Sequence, residues 1–255
     1  MTSLTSSGPW VMCRQPRPWA ALRLFCLPWA GTGASQFHHW PSLMPTQVEV
    51  CAIQLPGREN RLREQPHTRL ASLVEQLAEE LEPYLDLPFA LFGHSMGAWI
   101  AFTLARRLRQ RHPRSPVHLF VSGRRAPQIP SLHRPIHALP DPEFIGELRR
   151  RYGGLPEAVL RDPELLELFL PVLRADLTLV ETYTYTPEPP LACPISAFGG
   201  AEDPASGPAG LAAWQAQTTA TFSMRLFPGG HFFVQTARTA VLAEIRAALA
   251  PALGC

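Results

Sequence analysis

Short apolar runs alternate with helix-period segments along most of this 255-residue chain, and no other feature restricts its fold so strongly. The runs cover residues 22–27, 48–55, 89–92, 117–122, 195–198 and 223–227. They are short and mostly apolar rather than strictly alternating with polar residues, which fits strands covered on both faces. Parallel strands need long crossovers, and the segments between the runs supply them. One follows Thr68, an N-cap candidate, with Leu70, Leu73, Val74, Leu77 and Leu81 on one stripe. Another spans 95–111, with Ile100, Leu104 and Leu108 inward. Segments 207–217 and 234–249 complete the set. The expectation is an α/β protein with a mostly parallel central sheet flanked by helices.

One region breaks the alternation. Between about 126 and 190 there are helix signals and no convincing strand. Asp141-Pro142 and Asp162-Pro163 each place an N-cap residue before an N1 proline. The first opens a helix over 143–152 that stops at Gly153-Gly154. The second opens one over 164–183, which Pro171 must kink or divide. A helical insertion of this size, at about 127–190, is either a lid or a subdomain, and a helical lid is the expectation. The chain then reads as a flexible N-terminal segment, 1–19, before a single domain over 20–252. Residues 1–19 lack the apolar stretch of a signal peptide. The uncharged stretch 24–48 carries three prolines and two histidines and cannot span a membrane. A soluble cytoplasmic protein is expected.

Composition removes several chemistries. All 23 basic residues are arginine, which excludes a Schiff-base lysine, a P-loop lysine and a Ser-Lys dyad. Asn60 is the only asparagine, which weakens a Cys-His-Asn arrangement. A net charge of +2 gives no reason to expect a nucleic-acid partner. Cys13, Cys26, Cys51, Cys193 and Cys255 show no CxxC spacing, and the apolar settings of Cys26 and Cys51 predict buried reduced thiols. Arg106, Arg107, Arg109 and Arg111 form a basic helix face, read as a solvated surface with a phosphate site as its rival.

The chemistry centres on Gly93-His94-Ser95-Met96-Gly97, directly after one strand run and directly before a helix. That context is a nucleophile elbow, with glycines where the turn leaves no room for side chains and Ser95 as nucleophile. In such folds the order is serine, acid, histidine. Beyond residue 137 the only histidine is His231, in the Gly-rich loop Pro228-Gly229-Gly230-His231-Phe232-Phe233. Of the aspartates after Ser95, Asp141 and Asp162 are explained as caps, and Asp176 lies in the insertion. Asp203 follows a strand end and is favoured as the acid, with adjacent Glu202 as its rival. The Met96 amide and one from the loop after the first strong strand, at Ala30, would form the oxyanion hole. Trp29 and Phe37 either line the acyl path or are core aromatics. Arg58 and Arg61 either stand at the mouth of the site or anchor a loop. The histidines and carboxylates show no metal-ligand spacing.

At this point the sequence resembles the type II (editing) thioesterases of the α/β-hydrolase fold that accompany nonribosomal peptide and polyketide synthases. The matching stretches include Leu27-Pro28-Trp29-Ala30-Gly31, Leu55-Pro56-Gly57-Arg58-Glu59, the elbow, Val121-Ser122-Gly123-Arg124-Arg125-Ala126-Pro127, Leu173-Arg174-Ala175-Asp176, and Phe227-Pro228-Gly229-Gly230-His231-Phe232. The elbow and histidine loop are shared with many hydrolases; the Pro-Gly-Arg-Glu and Leu-Arg-Ala-Asp stretches are much more particular. The resemblance implies hydrolysis of acyl thioesters on the phosphopantetheine arm of carrier proteins, removing aberrant or stalled acyl groups. It implies no metal or dissociable cofactor, and a monomer is expected. A general acyl-CoA thioesterase, a carboxylesterase or a product-releasing thioesterase would share the catalytic residues. A non-catalytic carrier-binding module would not need them.

Overall fold

The apolar runs do become strands, and all but the last are buried. A computed structural model describes residues 8–112, 115–131, 133–153 and 157–254. Residues 1–7 of the expected N-terminal segment and Cys255 lie outside them. The strands are β1 (Val11–Met12), β2 (Leu22–Leu27), β3 (Val48–Ile53), β4 (Phe89–His94), β5 (His118–Ser122), β6 (Ile195–Gly200) and β7 (Phe222–Phe227). The helices are α1 (Trp40–Leu43), α2 (Leu70–Leu81), α3 (Met96–Arg111), α4 (Asp141–Tyr152), α5 (Glu157–Arg161), α6 (Pro163–Glu181), α7 (Pro208–Ala212), α8 (Phe233–Thr236) and α9 (Arg238–Leu249). Sheet order is β1-β3-β2-β4-β5-β6-β7, parallel except for β1. Among the described residues no helix is long and apolar enough to cross a membrane.

Every residue of β2 to β6 is buried because helices cover both faces. Phe25 and Leu27 of β2 point toward α2 and α3, and Leu22, Leu24 and Cys26 toward α1, α8 and α9. The edge strand β7 departs from that pattern, with Ser223 to Leu226 exposed. It is covered by one neighbour only, so its sequence need not be apolar on both sides.

Part of the expected flexible segment is structured. Trp10 and Val11 are buried, and Val11–Met12 pairs antiparallel with Ile53 and Ala52. Cys13 is joined to Cys51 by a disulfide, which corrects the expectation of a reduced Cys51; Cys26 and Cys193 are free and buried. Spacing along the chain could not reveal this pair, because β1 brings Cys13 beside Cys51 only after it docks.

Other local expectations change in detail. Arg69 rather than Thr68 occupies the N-cap of α2, without a side-chain cap. Asp162 caps α6 by accepting from the Glu164 and Leu165 amides, but Asp141 is already inside α4 and pairs with Arg174 at 2.5 Å. Pro171 lies within α6 and does not divide it. The basic face of α3 is spent on anchoring. Arg106 and Arg109 hold Glu188, while Arg107 and Arg111 hold Glu75 of α2.

The insertion packs over the C-terminal ends of the parallel strands. Ile136, Phe144, Leu148, Leu170, Leu173 and Leu177 make a separate small core there, whereas Leu179 and Val180 at the end of α6 join the main core. The insertion is thus tied down at its C-terminal root.

Candidate active site

Ser95 stands between β4 and α3 at φ 53° and ψ −115°, a conformation that side chains disfavour. The turn is forced by crowding. A Cβ on Gly93 would meet the Gly97 carbonyl oxygen at 2.0 Å, and one on Gly97 would meet the Leu27 oxygen at 2.3 Å. The Ser95 amide donates to the Ser122 carbonyl of β5 at 2.7 Å, fixing the elbow to its neighbouring strand.

His231 Nε2 is 3.0 Å from Ser95 Oγ, and His231 Nδ1 is 3.0 Å from Asp203 Oδ2. Asp203 follows β6, and His231 lies between β7 and α8, so three strand ends converge. The Asp203 carboxylate also accepts from the Ser206 hydroxyl and the Ala205 amide, each at 2.9 Å. Burial opposes its charge, but the hydrogen bond and charge of His231, with those two donors, hold it below the usual carboxylate range. Glu202 is exposed and has no contact with the imidazole; its amide donates to Gly229.

His94 points behind the elbow, bonded through Nδ1 to Ser122 Oγ at 2.9 Å, with its ring 5.2 Å from that of His231. Burial, and then the charge of His231, push it well below the ordinary histidine value, so it is a neutral packing group.

Ser95, Met96, His231, Trp29 and Ala30 share a cavity of about 400 Å³, within the range of small-ligand sites. Neither the Met96 nor the Ala30 amide donates to a protein acceptor among the described residues. The opposite wall comes from the insertion, through Leu148 and Tyr152 of α4 and Phe169, Leu173, Leu177 and Val180 of α6. Gln36 and Gln235, bonded to each other at 3.1 Å, stand at its exposed rim.

Three expected substrate-binding residues lie elsewhere. Phe37 is buried behind Trp29 and packs on Trp40 and Phe92. Arg61 lies over the Trp10 ring, bonds the Gln54 carbonyl and pairs with Glu64. Arg58 forms a two-toothed ion pair with Asp176 of α6, at 2.7 and 2.9 Å. Both arginines satisfy buried backbone and carboxylate groups rather than facing the cavity.

Asp176 has a structural role that sequence reasoning did not find. Its Oδ2 accepts from the Gly31 amide at 2.8 Å, next to Ala30, so the insertion helix holds the loop that carries Ala30 into the cavity wall. The available signal was the pair of particular stretches, Pro-Gly-Arg-Glu and Leu-Arg-Ala-Asp. They meet each other here.

Known proteins resemble this chain in sequence and in fold. The Thioesterase domain profile matches residues 22–249. The gramicidin S biosynthesis protein GrsT of Aneurinibacillus migulanus is 47% identical over 255 residues, covering 98% of this chain and 99% of its own. Among solved structures, the type II thioesterase BorB from the borrelidin biosynthetic cluster superposes with a TM-score of 0.88 at 39% identity, covering 96% of this chain and 99% of that one. The RedJ thioesterase of the prodiginine pathway in Streptomyces coelicolor gives 0.85 at 42% identity, over 90% and 91%. With its mostly parallel sheet, elbow serine and inserted helices, the chain belongs to the thioesterase domain family of the α/β-hydrolase fold.

Proposed function

We propose that this chain hydrolyses acyl thioesters on the phosphopantetheine arm of carrier proteins, clearing aberrant or stalled acyl groups from a nonribosomal peptide or polyketide synthase. The observation that carries the hydrolytic reading is the Ser95–His231–Asp203 relay, with two contacts of 3.0 Å at the floor of a cavity walled by apolar side chains. The carrier-bound substrate and the editing role are supported by the relatives named in peptide and polyketide biosynthesis.

Ser95 Oγ attacks the thioester carbonyl while His231 Nε2 takes its proton. The Met96 and Ala30 amides receive the oxyanion, and Asp203 stabilises the imidazolium through Nδ1. Collapse breaks the C–S bond, and the pantetheine thiolate leaves and takes the proton from His231 Nε2, which returns the imidazole to its neutral form. Water, deprotonated by His231, then attacks the acyl-serine; the carboxylic acid departs and Ser95 regains its hydrogen. All three side chains come from one chain, so a monomer suffices for the chemistry.

Two measurements test this reading. A fluorophosphonate probe labels Ser95 and loses its target in Ser95→Ala. Matched acyl groups on a carrier protein and on coenzyme A are compared, and the carrier form has the higher kcat/KM. Binding energy from the remote carrier surface is then spent on placing the thioester. Equal efficiency on the two would assign a general acyl-CoA hydrolase instead.

A further inference from the structure

Arg124 lies in the wall of the same cavity and has no part in the steps above. Its position is fixed from two sides. Its carbonyl accepts from Trp214 Nε1 at 2.8 Å, and its guanidinium lies 3.8 Å from the centre of the Trp99 ring. Trp99 is four residues beyond Ser95 on α3, about 6 Å of helix rise from the elbow.

A guanidinium this buried is ordinarily matched to a carboxylate. Arg124 is only 6% exposed, yet its Nε–H meets no acceptor among the described residues. Glu181, the carboxylate whose charge reaches it, is bonded instead to the Ile136 and His137 amides, the His137 ring and Arg151. The Arg124 guanidinium is hydrogen-bonded to the Tyr152 phenol of α4, whose ring is 5.0 Å from the His231 ring. The cavity therefore pairs an apolar wall with a buried, planar, multi-donor cation whose Nε–H is left over, in the same cavity as Ser95. A carboxylate is the group that such a fork matches in two places.

We propose that Arg124 receives a carboxylate at the far end of the acyl group, so that short dicarboxylic acyl thioesters are taken in preference to hydrocarbon chains of the same length. The acyl part rests on the reading of Ser95 as nucleophile. The distal carboxylate forms paired hydrogen bonds with the guanidinium, the methylenes lie along Leu173 and Leu177, and the thioester carbonyl reaches Ser95.

The test compares adipoyl-pantetheine with hexanoyl-pantetheine in the unaltered protein, in Arg124→Gln and in Arg124→Lys. The ratio of kcat/KM for adipoyl over hexanoyl is expected to exceed one in the unaltered protein. It should fall about tenfold or more in Arg124→Gln, the size of a lost charge-assisted hydrogen bond, and recover in part in Arg124→Lys. A ratio unchanged by either substitution overturns the proposal. Inhibition of the unaltered protein by the two matching amides, which cannot be hydrolysed as thioesters, needs no variant to fold. Tighter binding of the adipoyl amide, weakened by salt, supports the subsite; equal or weaker binding than the hexanoyl amide overturns it. If neither thioester is cleaved, the hydrolase reading fails while the amides still decide the role of Arg124.

Discussion

Ser95 keeps a backbone conformation that costs about 1–3 kcal/mol, and its neighbours hold it there. The crowded glycines on either side and the bond to Ser122 leave the elbow no alternative, so the hydroxyl is presented without rearrangement. The contacts around it give sharp expectations. Ser95→Ala and His231→Ala each lower kcat by several orders of magnitude, because the members of such a relay act as a unit. Asp203→Asn lowers it about 10⁴-fold, since an amide at Oδ2 disfavours the required tautomer of His231. Glu202→Gln, whose side chain faces solvent, leaves kcat within about twofold, a surface-sized effect. Steady-state kinetics on a simple acyl thioester check all four, and a larger loss at Glu202 than at Asp203 would reverse the assignment. The serine, the histidine and the acid were legible because each follows a strand end with its own local signature. Arg58 and Asp176 were not, because their partnership spans 118 residues and neither has a neighbour in sequence that declares it.

At the scale of elements, strands and crossovers were readable because both-face burial imposes continuous apolar runs, and the exposed edge strand β7 shows how that signal weakens when one side is uncovered. The disulfide and the edge strand β1 escaped, since a two-residue strand has too few residues to show a period. The insertion was legible as helices but not as a structural partner of the loop that carries Ala30 and Gly31. Removing that partner has a predicted size. Asp176→Ala leaves the buried Arg58 guanidinium without its carboxylate, with only the Pro56 and Thr32 carbonyls as acceptors among the described residues, which destabilises the fold by about 3–5 kcal/mol. In the milder Asp176→Asn, kcat falls more than KM rises, because the Gly31 contact serves the loop rather than the acyl chain. Denaturant titration and steady-state kinetics measure the two effects; equal changes in kcat and KM would detach Asp176 from the loop's function. Hydrogen exchange should also be graded across the insertion. Amides of α4, resting on the small satellite core, are expected to exchange faster than those at the C-terminal end of α6, which joins the main core. Uniform protection equal to that of the sheet would instead describe a rigid subdomain.

For the molecule as a whole, acid is the predicted weakness. His118 stacks on Phe120 and bonds Ser196 Oγ, and burial pulls it down to about 4. The unfolded chain binds a proton there below about 6.5, while the folded chain stays neutral until about 4. Stability is therefore complete above that upper value and declines with falling pH between the two, by about 1.4 kcal/mol per pH unit for this one group. Buried His94 acts in the same direction. Urea midpoints between pH 7 and pH 5 should fall, and His118→Gln should show a slope shallower by one proton. Identical slopes would place the titrating group elsewhere. The bridge from Arg58 through Asp176 to Gly31 also bears on the order of events. An outward movement of α6 would take with it the acceptor of the Gly31 amide, so a state opened in that way would be accessible but would lack this support of the Ala30 loop. On the proposed chemistry, cleavage would then belong to the interval after closure. A visitor that departs sooner leaves intact, and dwell time becomes a criterion of selection beside chemical fit.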